Sequence, residues 1–226
     1  MDQKRRIGIY GGTFDPVHLG HIEVAKCVSR QFELDQVLFV PAFHAPHKLT
    51  QPVTSHLHRY AMLVLATEDD ERLCVSTVEL EAQERRYTVE TVAYFQTLFG
   101  DTAQLFFVMG ADSWSEVTSW REWQRLLSMT NHIVVTRPGF DVQLNVGPGN
   151  LGIQIVDLRT GNTEVLANQR EKGTVFITDV VMKDVSATQI RRAVRENRFD
   201  ELGKLVPAPV AEYLKKYRLY RDSNEA

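Results

Sequence analysis

The sequence predicts an α/β protein with a doubly wound parallel sheet, covered by helices on both faces, and a small C-terminal helical part. Short runs rich in β-branched and aromatic residues alternate at least four times with amphipathic stretches. This alternation is typical of right-handed βαβ units, in which ligands bind beyond the carboxyl ends of the strands. The length of 226 residues, 43% of them hydrophobic and 24% charged, suits one sizeable α/β core.

Five apolar runs predict buried strands. They are RIGIY (6–10), QVLFVP (36–41), RLCVST (72–77), AQLFFVM (103–109) and HIVVTR (132–137). The stretches between them predict helices. These are HIEVAKCVSRQF (21–32), HLHRYAMLVLATED (56–69), TVETVAYFQTLF (88–99) and SWSEVTSWREWQRLL (113–127).

After Pro138 the pattern becomes less regular, and residues 139–173 are the expected irregular insertion. IQIVDL (153–158) and TVFITDVVM (174–182) predict two more strands. SATQIRRAVREN (186–197), with serine at its N-cap position, and VPAPVAEYLKKYRLY (206–220), with proline near its start, predict two helices. We therefore expect one domain over residues 1–226, with 186–226 as its helical C-terminal subregion.

Charge and cysteine content exclude several classes of protein. The net charge of −3 disfavours long nucleic acids as partners, because binding to their backbone needs clustered Lys and Arg. Cys27 and Cys74 form no CxxC motif, and there is neither a signal-peptide pattern nor a long apolar run. We expect a reduced cytoplasmic protein that does not enter a membrane.

GGTFDPVHLGH (11–21) carries the strongest functional signal. It follows the first predicted strand and opens a helix, so its glycines would let backbone N–H groups approach an anion at a helix N-terminus. It matches neither the Walker A motif nor GxGxxG, and the GPGNLG of residues 147–152 has no strong strand before it and no helix after it. A zinc site is a weaker interpretation of His18 and His21, because their spacing is not i, i+4 and no third ligand is evident.

The same stretch resembles the GxFDPxHxGH motif of the HxGH nucleotidyltransferase superfamily. PAFHAPHK, RYTVET, GADSWSEVTSWREW and VSATQIRR resemble, in the same order, four further segments of bacterial nicotinate-nucleotide adenylyltransferases. The resemblance covers nearly the whole chain. It implies a Rossmann-like fold of the nucleotidyltransferase type and adenylyl transfer from ATP to nicotinate mononucleotide in NAD biosynthesis.

The resemblance also implies roles for individual residues. His18, His21 and Lys48 would be catalytic, as donors and positive charge around the reacting phosphates. ATP would be bound by Gly11, Gly12, Thr13, Phe14, Gly110, Asp112, Ser186, Thr188 and Arg191. Nicotinate mononucleotide would be bound by His47, Tyr87, Thr88, Trp120 and Arg121, with the pyridine ring stacked on the indole. Ala187 departs from the serine that is frequent in the family pattern.

Magnesium is the implied cofactor, since ATP arrives as a magnesium complex. No protein ligand for it can be named from the sequence. Three alternatives remain open: nicotinamide mononucleotide as the acceptor, another phosphate acceptor in the same fold, and a nucleotide-binding module without activity. The sequence does not decide how strictly the acid is preferred over the amide, nor the oligomeric state.

Overall fold

The computed structural model describes residues 4–43, 53–82, 86–136, 153–159, 173–179 and 185–221. The strands in these ranges are β1 (Arg5–Gly12), β2 (Gln36–Pro41), β3 (Leu73–Val75), β4 (Ala103–Gly110), β5 (Asn131–Val135), β6 (Gln154–Asp157) and β7 (Thr174–Thr178). The helices are α1 (Leu19–Gln31), α2 (His56–Thr67), α3 (Val78–Glu81), α4 (Thr88–Phe99), α5 (Ala111–Ser115), α6 (Trp123–Met129), α7 (Ala187–Arg195) and α8 (Ala208–Lys216). Short 3₁₀ turns cover Gly100–Thr102, Val117–Ser119 and Phe199–Lys204.

The described strands form one seven-stranded sheet in the order β3-β2-β1-β4-β5-β7-β6, and every pairing is parallel. The chain runs from β1 outward to β3, then returns to the other side of β1 with β4. This reversal creates a topological switch point between β1 and β4. Ligands of doubly wound folds bind at the carboxyl ends of the strands beside such a point. The predicted fold class is confirmed.

Alternate residues of each strand enter two separate cores, because side chains of a strand point to opposite faces of the sheet. Tyr10, Phe39 and Val108 face α1, α2, α7 and α8 on one side. Ile9 and Phe107 face α3, α4, α5 and α6 on the other. Since both faces are covered, the strands are buried and read as continuous apolar runs in the sequence.

One predicted helix is wrong. Residues 113–127 form α5, the 3₁₀ turn Val117–Ser119 and α6 instead of one continuous helix. Trp120 has extended backbone at φ −76° and ψ 147°, and Glu122 is left-handed at φ 51°. These two conformations interrupt the helical hydrogen bonds, so the apolar spacing of this stretch arises from two helices that pack on the same core.

In the second half of the chain, β6, β7, α7 and α8 lie within the segments that predict strands and helices. Most of the predicted insertion, 139–173, lies outside the described residues, and its described part contains the predicted strand β6. The region 185–221 is helical, with Ser186 as the N-cap of α7 and Pro207 as the N-cap of α8. Within the described ranges, no helix is long and apolar enough to cross a membrane.

Candidate active site

The loop after β1 is shaped by a glycine and a buried aromatic ring. A side chain at Gly12 would place its Cβ 2.9 Å from Cζ of Phe14, which is closer than real Cβ atoms approach. Phe14 itself has left-handed backbone at φ 50° and a ring that is 3% exposed. The loop therefore turns tightly over a ring fixed in the core. Gly11, the residue before this turn, is half-buried and lies against the ring of Phe107.

His18 and His21 cap helix α1 with their own rings. The backbone N–H of His21 donates to Nδ1 of His18 at 3.3 Å, and the backbone N–H of His18 donates to Nδ1 of His21 at 3.2 Å. The two rings stack with centroids 3.6 Å apart. Because Nδ1 of each ring accepts a hydrogen bond, the proton of each neutral imidazole is on Nε2. Each ring thus carries an Nε2–H donor at a helix N-terminus.

The protonation state of His21 follows from its surroundings. Burial lowers the pKa of His21 well below its usual range, and a charge on His18 would lower this pKa further. The rings of Phe14 and Tyr10 lie 5.0 and 6.2 Å from the His21 ring, so its environment is largely aromatic. His21 is therefore neutral at neutral pH and acts as a hydrogen-bond donor without a net charge.

Gly20 gives the His18 ring its space. A Cβ at this position would lie 3.0 Å from Nδ1 and 3.1 Å from Cε1 of His18. It would also lie 3.5 Å from the carbonyl oxygen of Val185, the residue before the N-cap of α7. The glycine between the two histidines therefore permits both the ring position and the close approach of α7 to α1.

Helix α7 brings the second predicted phosphate-binding group to this loop. Ser186 Oγ accepts the backbone N–H of Gln189 at 3.3 Å and so caps the helix. Arg191 donates to the backbone carbonyl of Asp15 at 2.7 Å and to Oγ1 of Thr188 at 3.2 Å. The N-termini of α1 and α7 thus meet, and both favour an anion between them.

Gly110 and Asp112 follow β4, the neighbour of β1 across the switch point. Gly110 ends the strand and is the N-cap of α5, and Asp112 lies exposed in the first turn of that helix. Both residues lie at the carboxyl edge of the sheet beside β1, and their contact to a nucleotide stays a prediction.

Four of the residues predicted to bind the pyridine nucleotide come together on the α4 side of the sheet. Tyr87 is the N-cap of α4 and Thr88 its first residue. The guanidinium of Arg121 lies 4.7 Å from the centre of the Tyr87 ring. The adjacent Trp120 is half-buried, with its ring edge-on to that of Phe107 at 6.4 Å.

An open cavity of about 640 Å³ lies beside this group. It is lined by Ala82, Arg86, Tyr87, Glu90, Ala93, Tyr94, Thr97 and Arg121. The lining carries two guanidinium groups, two phenol rings and the carboxylate of Glu90. Trp120 is not part of this lining; its buried Nε1–H has no hydrogen-bond partner among the described residues.

His47 and Lys48 lie outside the described residues, so their predicted roles stay predictions. Two other side chains near the predicted segments lie away from the candidate site: Trp114 is 3% exposed in the core, and Arg192 pairs with Glu196 on the surface at 2.8 Å.

The buried residues that hold the loop after β1 in place were not identified from the sequence. Arg59 of α2 is 1% exposed, and its guanidinium contacts the loops after β1 and β2. Asp15 is 6% exposed and accepts hydrogen bonds from Tyr220 Oη at 2.6 Å and from the backbone N–H of Thr54 at 3.4 Å. A signal existed for Arg59, because Met62 and Leu63 follow it at i+3 and i+4 on the buried face of the helix.

The parallel sheet, the glycine-shaped loop at its switch point and the two histidine donors together define a nucleotidyltransferase of the α/β type. The comparisons with known proteins agree. Residues 9–193 match the cytidylyltransferase-like family. A probable nicotinate-nucleotide adenylyltransferase of Thermoanaerobacter sp. (strain X514) is 36% identical over 225 residues, which cover 100% of this chain and 99% of that protein. A second, from Moorella thermoacetica, is 36% identical over 216 residues, covering 96% and 92%.

The chain therefore belongs to the cytidylyltransferase-like family and, within it, to the nicotinate-nucleotide adenylyltransferases. Solved structures support the fold. Nicotinic acid mononucleotide adenylyltransferase of Plasmodium falciparum, complexed with NaAD, superposes with a TM-score of 0.72. The match has 18% sequence identity and covers 96% of this chain and 97% of the other.

Proposed function

We propose that this chain transfers the adenylyl group of ATP to the phosphate of nicotinate mononucleotide, giving deamido-NAD⁺ and pyrophosphate. The observation that carries the proposal is the reciprocal capping of α1 by His18 and His21, which fixes an Nε2–H donor on each ring beside the glycine loop. The names of the full-length relatives at 36% identity support the choice of substrates.

In the proposed reaction, an oxygen of the nicotinate mononucleotide phosphate attacks the α-phosphorus of ATP in line. A phosphorus–oxygen bond forms there while the bond to the oxygen bridging the α- and β-phosphates breaks, and pyrophosphate leaves with that electron pair. No covalent protein nucleophile is needed, so positioning and charge stabilisation supply the catalysis. His18 and His21 donate to the α-phosphate, where negative charge redistributes as the bonds change.

The other predicted residues of this site are assigned to the triphosphate and to the adenosine part of ATP. Thr188, Arg191 and the N-terminus of α7 bind the β- and γ-phosphates, and Lys48 adds positive charge near the reacting atoms. Gly110 and Asp112 bind the adenine and ribose. Arg191 already donates to Asp15 through one guanidinium nitrogen, so it can link the loop to the triphosphate through its other N–H groups.

The nicotinate end is assigned to Thr88, Trp120 and the backbone near Arg121. The ring stacks on the indole, and the carboxylate accepts hydrogen bonds from Thr88 and backbone amides. The charge of Arg121 favours an acid over an amide here, although Glu90 and Glu122 lie 4.0 and 3.8 Å from that guanidinium and offset part of its field.

Mg²⁺ is proposed to enter with ATP. Among the described residues, no group of three His, Cys, Asp or Glu side chains could hold a metal ion. The residues present fit a cation whose ligands are phosphate oxygens and water, which is a common arrangement for Mg²⁺. When bound, the ion neutralises charge on the triphosphate.

The experiment that tests the proposal is pyrophosphate release by the purified protein with Mg·ATP. Nicotinate mononucleotide and its amide are compared at matched concentrations. We expect kcat/KM to favour the acid strongly. A preference for the amide would retain the chemistry and overturn the carboxylate pocket, and no release with either nucleotide would overturn the proposed activity.

A further inference from the structure

Arg59 is a buried arginine whose hydrogen bonds all go to backbone carbonyl oxygens. Nη1 donates to the carbonyl of Thr13 at 2.7 Å, and Nε donates to that of Thr54 at 2.9 Å. Nη2 donates to Ala42 at 2.7 Å and to Phe43 at 3.4 Å. Burial lowers the pKa of Arg59, but the carboxylate of nearby Asp15 opposes that shift, and an arginine side chain keeps its proton in proteins, so the guanidinium is charged.

These carbonyls belong to the edge of the sheet that carries the candidate site. Thr13 lies in the loop after β1, and Ala42 and Phe43 follow β2. Helix α2 does not need Arg59 to dock, because Met62 and Leu63 are fully buried against the sheet and His58 Nδ1 lies 2.9 Å from Tyr213 Oη of α8. The guanidinium fork therefore connects loops to one another more than it attaches the helix to the core.

The contact to Thr13 fixes the orientation of one peptide group. The peptide between Thr13 and Phe14 is trans, so its N–H points away from the side on which its carbonyl meets Arg59. The N–H of this peptide belongs to Phe14, and no acceptor for it is found in the part of the chain that the structure describes. Arg191 donates to the carbonyl of Asp15, two residues further along the loop. Two arginines, Arg59 and Arg191, therefore hold the loop at two points.

We propose that Arg59 is a positioning residue that holds the Thr13 carbonyl so that the Phe14 N–H is presented to the phosphates of ATP. This inference rests on the proposed function, because it takes from it that the loop binds ATP for catalysis. It assigns Arg59 no contact with either substrate. A lysine keeps the charge but lacks the planar fork that reaches carbonyls of both loops at once, so R59K separates geometry from charge.

The first experiment compares R59K with H58Q in steady-state pyrophosphate release. H58Q is the matched control, because it alters the neighbouring residue of α2 and its contact to Tyr213 without touching the loop. We expect R59K to lower kcat about 100-fold, which is the typical loss of rate when catalytic groups are displaced by about 1 Å. KM for nicotinate mononucleotide should change by less than about threefold. H58Q should retain kcat. A folded R59K protein with wild-type kcat overturns the proposal.

The second measurement needs no turnover, and its wild-type arm can overturn the proposal even if R59K fails to fold. The amide NMR signal of Phe14 is followed while an ATP analogue with a non-cleavable link between the α- and β-phosphates is added. We expect this signal to shift on binding, and in folded R59K to shift much less. A Phe14 signal that does not respond in the wild-type protein overturns the proposal. If the wild-type protein releases no pyrophosphate, the proposed function fails, whereas the difference in the Phe14 shift between the wild type and R59K still tests the role of Arg59.

Discussion

In the proposed mechanism, each histidine of the pair has two tasks for one ring. Nδ1 accepts a backbone N–H at the start of α1, and this bond leaves the proton on Nε2. A helix cap needs only an acceptor, whereas donation to a phosphate needs the opposite nitrogen. The two tasks can therefore be separated by substitution.

His18→Asn is the substitution that separates them. Asparagine is a good N-cap residue, so the free energy of unfolding should stay close to wild type, but the Nε2–H donor is lost. We expect kcat to fall about 100- to 1,000-fold, the effect of removing one preorganised donor. His18→Ala should show the same loss of rate and a further loss of about 1 kcal/mol in stability, measured by urea unfolding. A near-wild-type rate for His18→Asn would remove His18 from the catalytic group.

Trp120 offers a residue-scale test of substrate binding. Its side chain is half-buried and contacts Phe107 edge-on, so part of its surface remains available to a ligand. We expect Trp120→Ala to raise KM for nicotinate mononucleotide about five- to tenfold with a smaller effect on kcat, because ground-state stacking is lost. Trp120→Phe, which keeps an aromatic face, should recover most of that loss in steady-state assays. An unchanged KM in Trp120→Ala would return the residue to a purely structural role.

At the scale of elements, helix α1 depends on the absence of a side chain at its second residue. Gly20 lies under the His18 ring, and α7 approaches it from the other side. Glycine lowers helix stability relative to alanine by about 0.8–1.0 kcal/mol. The residue therefore reduces the intrinsic stability of α1 and makes room for the ring.

Gly20→Ala should consequently lower activity much more than it changes stability. The new Cβ would force the His18 ring to move, and we expect kcat to fall at least about tenfold. The melting temperature should change little, because the higher helix propensity of alanine compensates for the contact. Gly203→Ala is the matched control, since an added Cβ there meets nothing within 4 Å. Equal kcat values for the two variants would contradict this account.

For the whole molecule, the sequence predicted the features that depend on local pattern. The runs 36–41 and 103–109 gave strands because every residue in a doubly covered parallel sheet is buried. Ser186 gave the start of α7 because a capping side chain acts within one turn. The place of the glycine loop and its two histidines between β1 and α1 was predictable for the same reason, since the strand, the loop and the helix follow one another directly in the sequence.

Features that depend on distant contacts were not predicted. The break at Trp120 and Glu122 arises from the packing of two short helices on one core, and the amphipathic spacing does not reveal it. Arg59 is paired with carbonyls up to 46 residues away in the sequence, and Tyr220 with a carboxylate 205 residues away. Their role follows from the sheet order, which brings the loop after β1, the loop after β2 and the C-terminal segment together.

The stability of the whole fold should depend on pH through His132, at the centre of the sheet. This residue of β5 lies between β4 and β7 and is 0% exposed. Nε2 lies 3.1 Å from the carbonyl oxygen of Leu126, and Nδ1 has no partner among the described residues. A second proton would be placed on Nδ1 in apolar surroundings, and burial accordingly lowers the pKa of His132 to about 4.

The direction of the pH dependence follows from this depressed pKa. Above about pH 6.5, the ordinary value, His132 is neutral in both the folded and the unfolded chain. As the pH falls from there toward 4, the unfolded chain binds a proton that the folded chain does not, so the free energy of unfolding decreases by about 1.4 kcal/mol per pH unit. His21 contributes in the same direction, because its pKa is also lowered.

His132→Gln isolates the contribution of this one residue. Glutamine can still donate to Leu126 but does not titrate, so its free energy of unfolding should fall less steeply below pH 6.5 than that of the wild type. Urea unfolding at about pH 7 and about pH 5 should show a difference of about 2 kcal/mol between the two proteins in the stability lost. The rate of pyrophosphate release at neutral pH should be retained, because His132 lies outside the candidate site. Parallel stability profiles would mean that His132 is protonated equally in both states, which would contradict its burial without a partner for Nδ1.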